Sequence, residues 1–178
     1  MSTTFFVSTF GCRASQSESA SIHRELLESN VVESQSPYDA NVVIVNSCTV
    51  TAEADRQVRQ MIRRVASRNP NAQIIVTGCY AQRAPEELAK LPRVRYVVGN
   101  SHKPMVGSLT LELLEDDFSS HGRAEIICSS IFIERELKPA AHSGSGGRTR
   151  AVVKVQDGCN ANCSFCIIPS VRGRSRSL

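Results

Sequence analysis

Three short, apolar, β-branched runs, at residues 5–7, 42–45 and 74–76, each end in a small polar turn followed directly by a cysteine. The sequences are FFVSTFG before Cys12, VVIVNS before Cys48 and IIVTG before Cys79. A fourth run at 96–98 repeats the pattern without the cysteine. Helix-length polar segments separate the runs. Strands this short and apolar are buried on both faces, as in a parallel sheet covered by crossover helices. The expected fold is therefore α/β: an open, mainly parallel sheet with helices on both faces.

The intervening segments carry helix signals. Ser15, with Glu18 three residues on, makes a capping box and predicts a first helix from Ser15, with Ile22 and Leu26 on its buried face. Ala54, Val58, Met61, Ile62 and Val65 recur at helical spacing and predict a second helix over about 51–67, its arginines largely on the other side and its end at Asn69-Pro70. Pro85, followed by Glu86 and Glu87, marks another start. Pro104 is expected to open a last helix carrying Met105, Val106, Leu109 and Leu113. Acidic Glu112, Glu115, Asp116 and Asp117 then lead to 125–133 (EIICSSIFI), a candidate strand.

The stretch 142–147 (HSGSGG) has nothing to bury and reads as a linker. Beyond it, 150–156 (RAVVKVQ) reads as a strand opening a unit too short for its own core. The expected organisation is an N-terminal domain at 1–120, a connecting segment at 121–149 and the start of a second domain at 150–178, within a longer protein.

Seven cysteines and no basic leader with a long apolar core point to a cytoplasmic setting, where thiols serve metal or redox chemistry more often than disulfides. Two sets stand out. Cys159, Cys163 and Cys166 form a CxxxCxxC loop directly after the predicted strand. Three thiolates in one loop suit a [4Fe–4S] cluster with one iron left open; a zinc site completed by a distant ligand and plain buried thiols are the alternatives. Cys12, Cys48 and Cys79 lie apart in sequence but at equivalent points, just past a strand and before a helix, which in a parallel sheet is the ligand-binding edge. A shared metal cluster explains three such positions better than packing does, although any one of them alone reads as a core residue. Gly11 and Gly78, each just before a cysteine, allow tight turns there.

Cys128 sits in an apolar segment without partner spacing and reads as structural. The histidines (His23, His102, His121 and His142) form no ligand pattern, and neither a phosphate loop nor a dinucleotide fingerprint occurs. The net charge of +4 is compatible with a polyanionic partner without identifying one. The arginines are unevenly placed: Arg56, Arg59, Arg63, Arg64 and Arg68 crowd one segment, and Arg172, Arg174 and Arg176 another. Each group is either a solvated face or an RNA contact.

The segments STFGCRASQSES (8–19), VVIVNSCTVTAEADRQVRQMIRR (42–64), IIVTGCYAQRAPEEL (74–88) and VKVQDGCNANCSFCIIPSVRGRSRS (153–177) resemble the radical-SAM methylthiotransferase family, closest to its tRNA threonylcarbamoyladenosine branch. The family usually carries Asn where Ser15 stands, and larger or more polar residues at Ala161 and Asn162. The resemblance implies that Cys12, Cys48 and Cys79 hold an auxiliary [4Fe–4S] cluster. It also implies that Cys159, Cys163 and Cys166 hold the radical-SAM cluster at the opening of a (β/α) barrel, with Phe165 either walling the S-adenosyl-L-methionine site or packing the loop. Most of that barrel, and the RNA-binding TRAM domain of relatives, would lie outside these 178 residues.

By the same resemblance, S-adenosyl-L-methionine is cleaved to a radical that takes hydrogen from C2 of the modified adenosine at position 37 of tRNA. The auxiliary cluster supplies sulfur and a second S-adenosyl-L-methionine the methyl group. An electron donor such as flavodoxin or ferredoxin is implied, and a membrane partner is not. Isopentenyladenosine in tRNA and a ribosomal-protein aspartate are the alternative substrates. A non-catalytic iron–sulfur module or an RNA-binding scaffold is the alternative of a different class.

Overall fold

The computed structural model describes residues 3–115, 123–134, 136–137, 141–142, 152–161 and 163–177. Asp116, Asp117, His121, Arg150, Asn162 and all of the expected linker beyond His142 lie outside the described residues. The N-terminal part runs β1 (Thr4–Thr9), α1 (Arg13–Glu28), β2 (Val32–Glu33), β3 (Val42–Ser47), α2 (Ala52–Arg68), β4 (Gln73–Gly78), α3 (Cys79–Arg83), α4 (Pro85–Ala89), β5 (Val94–Val98), α5 (Val106–Glu115) and β6 (Glu125–Ile127). After it come β7 (Ala141–His142), β8 (Val152–Val153), β9 (Gln156–Asp157), α6 (Ile168–Arg172) and β10 (Arg176–Ser177), with 3-10 turns at Asn100–Met105 and Ile131–Ile133.

Six strands form one sheet in the order β2-β1-β3-β4-β5-β6, with every neighbouring pair parallel. Alternation along the central strands builds two cores, because successive strand side chains point to opposite faces. Val43, Val45, Ile74 and Val76 pack with Val58, Ile62 and Val65 of α2, Tyr80 of α3 and Leu88 of α4. Val42, Ile44 and Ile75 face the other way, onto Ile22 and Leu26 of α1 and Leu109 and Leu113 of α5. The open parallel sheet with helices on both faces is thus the observed architecture; no closed barrel is present among the described residues.

Several local expectations change. α1 begins at Arg13 with Cys12 as its N-cap, so Ser15 and Glu18 lie inside the helix and make no capping box. Pro104 falls within the 3-10 turn, and α5 starts at Val106. The 125–133 segment is a strand only to Ile127, where pairing with β5 ends, and it turns at Ile131–Ile133. The single strand expected at 150–156 is two short pieces: β8 pairs antiparallel with β7, and β9 antiparallel with β10. The two-residue β2 went unforeseen because it is exposed on both faces and has no apolar pattern. α2 appears where periodicity put it, capped by the Thr51 hydroxyl accepting from the Ala54 N–H at 3.1 Å. Among the described residues no helix is long and apolar enough to cross a membrane.

Candidate metal centre at the carboxyl edge of the sheet

In a parallel sheet the loops past the strand C-termini line one edge, and a crevice opens where the strand order reverses. Here the reversal lies between β1 and β3, because the chain leaves β1 for β2 on one side and returns to β3 on the other. Cys12 follows β1, Cys48 follows β3 and Cys79 follows β4, so adjacent strands deliver the three thiols to this edge. Cys12 is exposed, whereas Cys48 and Cys79 are buried.

The loops lie directly on one another. A Cβ at Gly11, whose φ is 153°, would come within 2.9 Å of the Cys48 Cβ. The Arg83 guanidinium, on the helix that Cys79 begins, donates to the Thr49 hydroxyl at 2.7 Å and to Asp55 at 2.7 Å. That arginine ties the turn after Cys48 and the first turn of α2 to the Cys79 helix. Asn46 fixes the other side, donating to the Ser15 carbonyl and the Ser19 hydroxyl, each at 2.9 Å. Burial disfavours the Cys12 thiolate. The Ser15 backbone N–H and hydroxyl and the Arg172 charge outweigh it, and the Cys12 pKa falls below the ordinary thiol value.

The C-terminal segment docks on the same edge. The Asn100 side-chain amide donates to the Val171 carbonyl at 2.8 Å and stands 3.6 Å from the Cys79 Sγ, while its buried Oδ1 has no partner among the described residues. Arg172 is buried, and its guanidinium binds Glu18 at 2.8 Å and Asp157 at 2.9 Å. Lys103 and Lys154 also bind Glu18, at 2.5 Å and 3.0 Å. Burial works against the Glu18 carboxylate, yet Lys103, Arg172 and Lys154 together hold its pKa well below the usual range. Burial likewise opposes the Arg172 charge, which the Glu18 and Asp157 carboxylates keep in place. A cation therefore sits beside the three-cysteine edge, carried by the segment that bears the second triad.

That second triad occupies the loop between β9 and α6. Cys159 is half-buried, and its N–H donates to the Gly173 carbonyl at 3.1 Å; Cys163 and Cys166 are exposed. The Ala161 N–H points at the Cys159 Sγ at 3.4 Å, and Cys166 N–H closes a turn onto the Cys163 carbonyl at 3.1 Å. Phe165 is 92% exposed, so it does not pack the loop. Cys128 follows β6 on the same carboxyl edge, half-buried beside Gly99, with burial pushing its thiol pKa up.

Among the described residues no three His, Cys, Asp or Glu side chains converge as a ready site for a single metal ion. A [4Fe–4S] cube makes a different demand. It takes one thiolate per iron, so its ligands stand further apart than those of one ion. The donor chemistry at the edge fits such a group: three cysteines on adjacent loops, an amide N–H aimed at one sulfur, and a buried guanidinium nearby.

Glu18, Lys103, Lys154, Asn100 and Arg172 were not legible as site residues. A signal for Glu18 existed in the spacing of Ser15, Ser19, Ile22 and Leu26, which is one continuous helical face. All four are buried, so the serines carry the apolar stripe into a polar environment beside Cys12.

A family model described as the uncharacterized protein family UPF0004 matches residues 4–99, more than half of the chain, from β1 through β5 and including Cys12, Cys48 and Cys79. Threonylcarbamoyladenosine tRNA methylthiotransferase MtaB of Aquifex aeolicus is 38% identical over 170 residues, covering 96% of this chain and 40% of that protein. The chain belongs to the methylthiotransferase family. The protein of the same name from Bacillus subtilis is 36% identical over 169 residues, covering 95% of this chain and 36% of its own length. A tRNA-2-methylthio-N(6)-dimethylallyladenosine synthase of Chlorobium luteolum is 29% identical over 177 residues, covering 97% of this chain and 38% of that enzyme. The chain thus spans well under half the length of these methylthiotransferases, and the similarity runs through both cysteine sets.

Proposed function

We propose that this chain is the cluster-binding portion of a tRNA methylthiotransferase that converts N6-threonylcarbamoyladenosine at position 37 to its 2-methylthio derivative in the cytoplasm. Cys12, Cys48 and Cys79 would hold an auxiliary [4Fe–4S] cluster, and Cys159, Cys163 and Cys166 would hold a second one for S-adenosyl-L-methionine chemistry. When bound, these groups supply the electron, sulfur and methyl chemistry, with electrons arriving from a flavodoxin- or ferredoxin-type donor. The protein's part is placement and charge. Arg172 and the Asn100 amide offer a positive field and an N–H at the first triad, and Phe165 offers an apolar face beside the second.

The observation that carries this reading is the docking of the second triad's segment, through Asn100 and Arg172, onto the edge where adjacent strands deliver the first triad. The modified nucleoside follows the names of the relatives at 38% and 36% identity. The 29% identity to the dimethylallyladenosine enzyme keeps isopentenyladenosine as the second reading.

Anaerobic reconstitution of the chain is expected to give about eight irons per protein, falling to about four when Cys12, Cys48 and Cys79 are all replaced by alanine. Zinc without iron in both would overturn the cluster assignment. For the substrate, tRNA from cells deleted for the gene is expected to lose 2-methylthio-N6-threonylcarbamoyladenosine in nucleoside mass spectrometry. Loss of the isopentenyl derivative instead would favour the second reading, and an unchanged profile would sink both.

A further inference from the structure

The polar face of α2 is strongly basic. From Arg56 to Arg68 it carries five arginines and no acidic residue. Arg56, Arg59, Arg63, Arg64 and Arg68, with Gln60 and Ser67, line a hollow of about 480 Å³ that has no carboxylate in its wall. The helix's own acidic residues are engaged at its first turn, Glu53 by Arg56 and Asp55 by Arg83. Two of the arginines are held in place by aromatic rings: Arg59 donates to the Tyr80 hydroxyl at 2.6 Å, and the Arg68 guanidinium lies 4.6 Å from the Tyr38 ring centroid. Stacking orders a guanidinium while leaving its charge available. Arg63 and Arg64 are exposed and have no carboxylate partner among the described residues.

Direction links this stripe to the cysteine edge. α2 starts at Ala52, four positions after Cys48, and runs away from the carboxyl edge. At 1.5 Å per residue the arginines extend for about 18 Å along the helix, starting about one turn from that edge. A line of guanidiniums of this length matches an extended line of phosphates, which arginine binds through paired N–H donors.

We propose that the arginine face of α2 is a docking surface for the RNA phosphate backbone, leading a bound RNA to the edge that carries Cys12, Cys48 and Cys79. The inference rests on the tRNA reading above and adds the surface through which the RNA is held. It needs no base contacts, so binding there is strongly salt-dependent and weakly sequence-dependent.

The test measures binding of an unmodified tRNA transcript to the 178-residue chain across a salt series, for the wild type and for Arg63→Gln/Arg64→Gln. The double variant is expected to bind roughly tenfold more weakly at low salt, with the log–log salt slope reduced by about 2, one per lost phosphate contact. Arg63→Lys/Arg64→Lys is expected to restore the slope, and Arg24→Gln/Arg123→Gln, which removes equal charge elsewhere, to leave it unchanged. Wild-type slope and affinity in the glutamine variant would overturn the proposal, as would failure of the wild type to bind at 50 mM salt. Displacement of tRNA by polyglutamate at equal charge would replace RNA with an acidic protein as the occupant and also overturn it. The nucleoside profile of the gene deletion does not depend on this surface, so the substrate reading and the docking surface fail separately.

Discussion

Glu18→Ala is expected to lower the unfolding free energy by about 3–5 kcal/mol, the cost of removing one partner from a buried ionic cluster. Glu18 is 6% exposed and is the carboxylate shared by Lys103, Lys154 and Arg172. Among the described residues, its loss leaves Asp157 to answer Lys154, Arg172 and Arg176, and leaves Lys103 the Asn46 amide oxygen at 3.4 Å. The loss also has a place. Lys103 belongs to the turn after β5, whereas Lys154 and Arg172 flank the second triad, so the carboxylate is the tie between them. Urea unfolding measures the stability change, and hydrogen exchange over α6 is expected to accelerate in the variant. A midpoint within about 0.5 kcal/mol of wild type would mean that these charges behave as solvated surface groups.

Acid provides a second reading of the same cluster. The folded pKa values of Glu18 and Asp157 lie below their ordinary 4.5 and 3.8. A depressed carboxyl contributes stability that is complete above its unfolded pKa and is lost as pH falls toward the folded one. The wild type is therefore expected to lose stability from about pH 5 downward. Glu18→Ala, having lost most of that contribution already, gives a flatter acid limb. Parallel limbs would assign the acid loss to other groups.

The contrast between the sheet and this cluster shows what a sequence makes legible. β3 and β4 announce themselves because burial on both faces leaves a continuous apolar run, and Cys48 and Cys79 fall at the ends of those runs. Topology then brings the three thiols to one edge. Ser15 and Glu18 mislead because their spacing satisfies a local capping rule, while the cap itself is Cys12. The true partner of Glu18, Arg172, stands 154 positions away, and no local pattern encodes so distant a pairing. The arginines after the second triad therefore read as a solvated face or an RNA contact, although Arg172 and Arg176 turn inward to carboxylates, as Lys154 does.

Gly78→Ala is expected to cost about 2–5 kcal/mol and to empty the first triad of iron while leaving the second loop's chemistry intact. Gly78 has a φ of 99°, which L side chains rarely adopt, and a Cβ there would lie 2.2 Å from the Ser47 carbonyl oxygen and 2.8 Å from the Ser47 nitrogen. Those neighbours are backbone, so no rotamer change relieves the clash. Ser47 and Gly78 are the last registered pair between β3 and β4, and the next residues are Cys48 and Cys79. Relief must come from parting the strands just where two proposed ligands leave them. Gly107→Ala is the matched control. The three atoms nearest a Cβ there all belong to the Glu25 carboxyl group, the movable end of a flexible side chain, and alanine within α5 recovers up to about 1 kcal/mol of helix propensity. After reconstitution, Gly78→Ala is expected to hold about four irons and Gly107→Ala about eight. Full iron content in Gly78→Ala, with an unchanged unfolding midpoint, would mean that the β3–β4 edge yields freely and does not hold Cys48 and Cys79 in register.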